Sequence, residues 1–460
     1  MSSPRPRLQS TTAAAVLTVA VLGLSVAKAR AQAASPGPEQ KAVYLSDIPG
    51  STYEWLEGKQ KEAYGTKRRP LNLDDLKRLP PLPRGPGWEN PEKLIDLATA
   101  GVQVPTRYQD LAAYILLNRV AKQVRAILPA EEARRVDLID WGTLPTTEVN
   151  ASARQLGQRY LVLFDEGVFR AVYGLLLMVD RTVSFKEVGN QLEIDSSPAA
   201  LQEEIRKRPE ILDNYVALVV AFATGAGVPD IEFATDREAA NLMRQMNAIE
   251  RFIVGHEFGH IVSNHTEARL VPFNANPVRG AAYSFTRFGR DWITELEADR
   301  KGQQYAHQAR KEDESGLAAG ANVFFDAVAA YAPALFLELM EALEDAHLCG
   351  SRGEGSSRVL SQDAMDEAFK DAKEALAQDR RDAALTQIEL GCRRADHPPA
   401  WLRARFVATR ADAQFIKPPR MPPRDIGYAR ALLDNARTLA KLAAPRIKAR
   451  LATDRSTAAR

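Results

Sequence analysis

The stretch His256-Glu257-Phe258-Gly259-His260-Ile261-Val262-Ser263-Asn264-His265 holds three of the six histidines in a chain of 460 residues. Two histidines at i and i+4 on a helix stand one above the other, about 5–6 Å apart at Cβ, so both imidazoles reach a single metal ion. Glu257 lies about 100° round the helix from His256, beside the ion, where it can take a proton from metal-bound water. The flanking residues favour the helix that this geometry needs. Thr235 and Glu238 make a capping box, and no proline interrupts the run from Asp236 to about Arg269. The expectation is one helix across that run.

A catalytic zinc usually takes three protein ligands and a water, so a third ligand is required. His265 is nine positions after His256, half a turn off the metal face of an ideal helix, and is expected to point away. The metzincin spacing asks for glycine at 263 and histidine at 266, where this chain has Ser263 and Thr266. The better candidate is Glu295 in Thr294-Glu295-Leu296-Glu297-Ala298-Asp299-Arg300. Glu295 and Asp299 are again i and i+4. One carboxylate can bind the ion while the other accepts a hydrogen bond from a ligand histidine and sets its tautomer. Glu297, between them, is the competing choice.

His256 to His265 followed by Glu295-x-x-x-Asp299, with Ala298 before the aspartate, resembles the gluzincin zinc metallopeptidases of the HtpX and CAAX-prenyl-endopeptidase type. The long-insert layout is also similar to the Lit-type phage-exclusion peptidases. The resemblance covers about residues 236–310 and 392–408. It implies one zinc ion per chain held by His256, His260 and Glu295, with Glu257 as the base and Asp299 behind the ligands. It also implies a further histidine at the place of His265 and a downstream histidine–proline segment, here His397-Pro398 with Arg403 six residues after the histidine. His397 and Arg403 would then face the oxyanion formed when a peptide carbonyl is attacked. Tyr160 to Gly167 is a fainter echo of the strand that precedes the metal helix in that family.

Outward from this centre the chain divides by composition. Arg5 and Arg7, an apolar stretch from Thr11 to Ala27 and small residues around Ala31 and Ala33 read as a signal peptide over residues 1–33. An uncleaved membrane anchor and an organelle-targeting segment are the alternatives. Cleavage would remove four cations and no acid, taking the formal charge from +2 to −2. Residues 34–91, with six prolines from Pro70 to Pro91, read as an extended strap, and folded structure is expected from near Pro91. Residues 92–310 read as the zincin catalytic core, and 311–460 as a helical region that returns His397 and Arg403 to the site.

Within these divisions, apolar spacing predicts helices from about Leu111 to Leu128, from Val168 to Val179 and from Leu212 to Thr224. Tyr160-Leu-Val-Leu-Phe164 predicts a buried or edge strand. Gly316 to Leu337 is very apolar but holds Asp326 and Pro333, which fits core helices better than a membrane span. Pro333 is expected to kink or end its helix. Residues 361–391 and 427–451 read as charged, alanine-rich helices, and 350–357 as a loop. Cys349 and Cys392 are a candidate disulfide in an exported protein. His307 and His347 are assigned to structure.

The near balance of 61 Lys and Arg against 59 Asp and Glu argues against a nucleic-acid partner. The fold expected is mainly α with a small β-sheet. The function expected is zinc-dependent hydrolysis of peptide bonds in protein substrates, in the periplasm or outside the cell. A zinc-bound chaperone or assembly factor of the envelope with little turnover stays open beside it, as does association with a membrane without a span in the mature chain.

Overall fold

The computed structural model describes residues 44–64, 105–144, 151–156, 158–189, 191–195, 197–225, 236–265, 281–313, 319–346, 358–361, 387–391, 398, 400–411 and 423–458. The described chain is mainly helical with small β-sheets. It separates into two compact units, residues 1–170 with 230–250, and residues 171–229 with 251–460. The boundary between residues 250 and 251 falls inside the helix that carries the histidine pair.

The first unit is built on a three-stranded sheet. Strands β1 (Ile139–Leu144), β2 (Ala151–Leu156) and β3 (Arg159–Asp165) take the order β1-β3-β2, with β1 parallel and β2 antiparallel to β3. Tyr160 to Phe164 is therefore the middle strand and not an edge. Every residue from Tyr160 to Asp165 is buried, which explains its unbroken apolar run, since a middle strand covered on both faces has no polar side to alternate with. The neighbours are less legible. Ala151-Ser-Ala-Arg-Gln-Leu156 has no strand-like alternation and is held by pairing with β3, Ala153 opposite Val162.

Helix α1 (Thr52–Tyr64) lies within the residues expected to form an extended strap, and it is part of the folded unit. Leu56 is fully buried in one apolar cluster with Leu161 and Leu163, and its side chain occupies the space that a Cβ on Gly142 would need. One turn on, buried Gln60 donates to the Thr143 carbonyl at 2.7 Å and to Gln109 Oε1 at 3.2 Å. The six prolines that suggest a strap begin only at Pro70, after α1 ends at Tyr64. Pro70 to Pro91 lie outside the described residues. Helices α2 (Leu111–Ala126) and α3 (Ala130–Val136) follow, with Asp110 capping α2 by accepting from the Ala113 amide at 2.9 Å.

Helix α4 (Glu166–Arg181) leads into the second unit, where the hairpin β4 (Ser184–Val188) and β5 (Gln191–Asp195) and helices α5 (Pro198–Lys207) and α6 (Glu210–Thr224) come next. Then come α7 (Asp236–Val262), α8 (Ala281–Asp313), α9 (Ala319–Glu344), α10 (Ala400–Arg410) and α11 (Pro423–Ala458). Helix α9 packs against both α10 and α11, and α11 also against α6.

Helix α9 continues through Pro333 and does not end there. A proline inside a helix costs about 3 kcal/mol, and burying Tyr331, Leu335, Leu337 and Leu339 offsets it at about 1.5–3 kcal/mol for each large side chain. Residues 387–391 form strand β7, paired with β6 (Arg358–Ser361), where a helix was expected. Among the described residues no helix is long and apolar enough to cross a membrane. Residues 1–33, 350–357, Cys349, Cys392, His347 and His397 lie outside the described residues.

Candidate metal centre

Helix α7 presents His256 and His260 one turn apart, and their Nε2 atoms turn towards each other at 3.0 Å. Glu295 on α8 closes the group, with Oε2 3.5 Å from His256 Nε2 and Oε1 3.5 Å from His260 Nε2. Tetrahedral zinc with bonds of about 2.0–2.1 Å holds its ligand atoms about 3.3 Å apart. The three residues are close enough to share one ion, with the carboxylate reaching each histidine through a different oxygen. All three residues are buried, and among the described residues this is the one group of His, Cys, Asp and Glu that can hold a metal ion.

What brings Glu295 to the histidines is the close approach of α7 and α8, which two stripes of small residues permit. A Cβ added to Gly255 would lie 3.1 Å from the Gly302 Cα, and one on Gly259 would lie 3.0 Å from the Ala298 Cα. From the other side, a Cβ on Gly302 would come within 2.8 Å of the His256 backbone nitrogen. Backbone meets backbone: at Gly302 a methyl fits only if α7 shifts, and at Gly255 and Gly259 the facing atoms would have to give by a few tenths of an ångström. The sequence carries this signal as Gly255-x-x-x-Gly259 and Ala298-x-x-x-Gly302.

Behind the ligands stands a buried charge cluster. Asp299, fully buried, places Oδ1 3.0 Å from His256 Nδ1. Arg403 on α10 donates to both oxygens of Asp299, from Nε at 2.8 Å and from Nη2 at 2.7 Å, while its Nη1 lies 3.7 Å from Glu295 Oε2. Burial works against the charge on Asp299, but Arg403 and then His256 outweigh it and hold the carboxyl below its ordinary value. Burial likewise disfavours the guanidinium, and Asp299 first, then Glu295, keep it charged. His256 follows the same logic: burial opposes its charge, Asp299 and Glu295 prevail, and its pKa rises from 6.5 to about 9. Arg403 is thus committed to two carboxylates. Its helix is fixed at its start by Glu341, which accepts from the Trp401 amide at 3.2 Å, and further along by Gln303, which donates to the Val407 carbonyl at 2.7 Å.

His265 does not point away. Helix α7 stops at Val262, short of the expected run, because Asn264 takes a positive φ of 58°. The Asn264 amide bonds back to the Ile261 carbonyl at 3.2 Å and the His265 amide to the His260 carbonyl at 2.9 Å, the paired bonds of a Schellman cap. That cap folds His265 onto His260, with Nδ1 3.1 Å from Nδ1 and ring centroids 5.2 Å apart. Glu297 reaches the far nitrogen, with Oε2 3.4 Å from His265 Nε2, and Ser263 donates to its other oxygen at 3.2 Å. Burial pushes the His265 pKa down, with Glu297 opposing. Glu257 is also buried, at 3% exposure, next to His256 on α7.

The fold and the site define a mainly helical protein with a buried two-histidine, one-glutamate group able to hold a metal ion. Compared with known protein families, with curated proteins and with solved structures, the chain matches none.

Proposed function

We propose that the protein is a zinc-dependent endopeptidase. The observation that carries this reading is the convergence of His256 Nε2, His260 Nε2 and the Glu295 carboxylate within 3.0–3.5 Å of one another, on the helix that also bears Glu257. Zinc in such a group supplies Lewis acidity at a substrate carbonyl and lowers the pKa of a water towards about 7. Glu257 takes the proton released in the attack and passes it to the departing amine. Asp299 and Arg403 hold the His256 imidazole in one orientation. The motif's resemblance to the gluzincins supports the same reading and adds His397 as a partner for the oxyanion. The signal-like residues 1–33 support a periplasmic or secreted site of action on protein substrates.

The test uses the full chain, its zinc content and its cleavage of a chemically unfolded protein. Glu257→Gln should keep about one zinc per chain and lose at least about 10²–10⁴-fold in cleavage rate. Zinc-loaded wild-type protein that cuts nothing, or a Glu257→Gln variant that cuts as well as wild type, would overturn the peptidase reading. The first of those results would favour a zinc-bound binding protein of the envelope.

A further inference from the structure

The two ligand histidines are supported in different ways. His256 passes its Nδ1 hydrogen bond to a buried carboxylate, Asp299, whereas His260 meets a third imidazole, His265, which in turn meets Glu297. If Nε2 of His260 faces the ion, its Nδ1 must carry the ring proton, and the facing nitrogen of His265 must be bare to accept it. His265 then carries its own proton on Nε2, pointing at the Glu297 carboxylate. Both hydrogen bonds run in one direction, and no two donors or two acceptors face each other. Glu297 is itself held by the Ser263 hydroxyl at 3.2 Å and by Arg300 at 3.8 Å. The Schellman cap at Asn264 sets the position of His265 in this chain.

The geometry points to His265 and Glu297 as positioning residues that fix the tautomer and ring orientation of His260, and so set metal affinity, from outside the ligand set. This rests on reading His256, His260 and Glu295 as the ligands. It gives the neighbouring acid of the Glu295 motif a role distinct from ligation, and it makes Glu297 act only through His265.

The experiment measures zinc affinity of the full chain by competition with a chelator, together with histidine-selective ¹⁵N spectra of the zinc-loaded protein. His265→Leu, which removes the acceptor, should weaken zinc about 10–100-fold and leave His260 Nδ1 without its protected proton. His265→Asn, whose Oδ1 can stand near the lost nitrogen, should restore most of the affinity, which a merely structural role would not produce. Glu297→Ala should weaken zinc less, and the double variant should be no worse than His265→Leu alone. Wild-type affinity and an unchanged His260 signal in His265→Leu overturn the proposal, as do fully additive losses. Cleavage is read separately: a zinc-binding wild type that cuts nothing defeats the peptidase reading while these affinity ratios still decide this one. A wild type that takes up no zinc overturns both.

Discussion

Asp299 is an ionised carboxylate with no exposure to solvent, and such a group is tolerated only when charge and hydrogen bonds surround it. Arg403 supplies two of those bonds and His256 a third. In the metal-free protein the result is a protonated His256, because its pKa stands at about 9 and not at 6.5. That raised value stabilises the metal-free fold at pH below 6.5, and the contribution is lost as pH climbs through about 9. An ion entering between the histidines must displace that proton. Zinc uptake at pH 7 should therefore release a proton, and affinity should fall by up to about tenfold per unit as pH drops below about 9. Calorimetry in buffers of different ionisation enthalpy measures the release, and an affinity flat between pH 6 and 9 would contradict it. The site was readable here in the residue types, since a scarce histidine clustered at i and i+4 is a local pattern. The attachment of Arg403 to Asp299 was not, because 104 residues separate them.

Helices α7 and α8 meet along glycines, and that contact sets the ligand geometry. Gly302→Ala places a methyl against three backbone atoms of α7, the His256 nitrogen at 2.8 Å, the Phe252 oxygen at 2.9 Å and the His256 Cα at 3.0 Å. None of them can move without shifting the helix, and overpacking of this kind typically costs about 1–3 kcal/mol. Gly58 in α1 is the control, since an added Cβ there meets nothing within 4 Å. Gly58→Ala should leave stability unchanged or raise it by about 0.5–1 kcal/mol, while Gly302→Ala should lower both melting temperature and zinc affinity. Thermal melts and chelator competition on the two variants check the contrast. The termination of α7 belongs to the same level. The capping box at its start and the lack of proline argued for a longer helix, yet one asparagine in the left-handed region ended it and turned His265 back. Asparagine tolerates that conformation but does not require it, which is why the cap was not visible in composition.

The two units of the chain differ in what holds them. The first rests on β3 and on α1, whose Leu56 and Gln60 reach into the sheet from a segment that its proline-rich neighbour had disguised. The second contains the His256, His260 and Glu295 group that could hold a metal ion, and a bound ion would link its stability to metal concentration. Free zinc at about one hundred times its dissociation constant stabilises a folded state by about 2.7 kcal/mol. Zinc should raise the melting temperature of the wild type in proportion to the logarithm of its concentration, and Glu295→Ala should flatten that dependence. Differential scanning fluorimetry across a zinc series reads this, and an equal shift in Glu295→Ala would remove Glu295 from the ligand set.

Helical periodicity placed α2, α4 and α6, charged alanine-rich composition placed most of α11, and the apolar run of β3 marked a buried strand, because each of these signals is carried by residues close together in sequence. The pairing of β1 and β2 around β3, the passage of α9 through Pro333 and the folding of α1 onto the sheet all depend on partners far along the chain. So does the grouping of His256, His260 and Glu295: the motif singled out these residues, but the distances between them come from two backbones touching at glycine. Local order is encoded by neighbours in sequence, while close contact between remote segments exists only once the chain has packed.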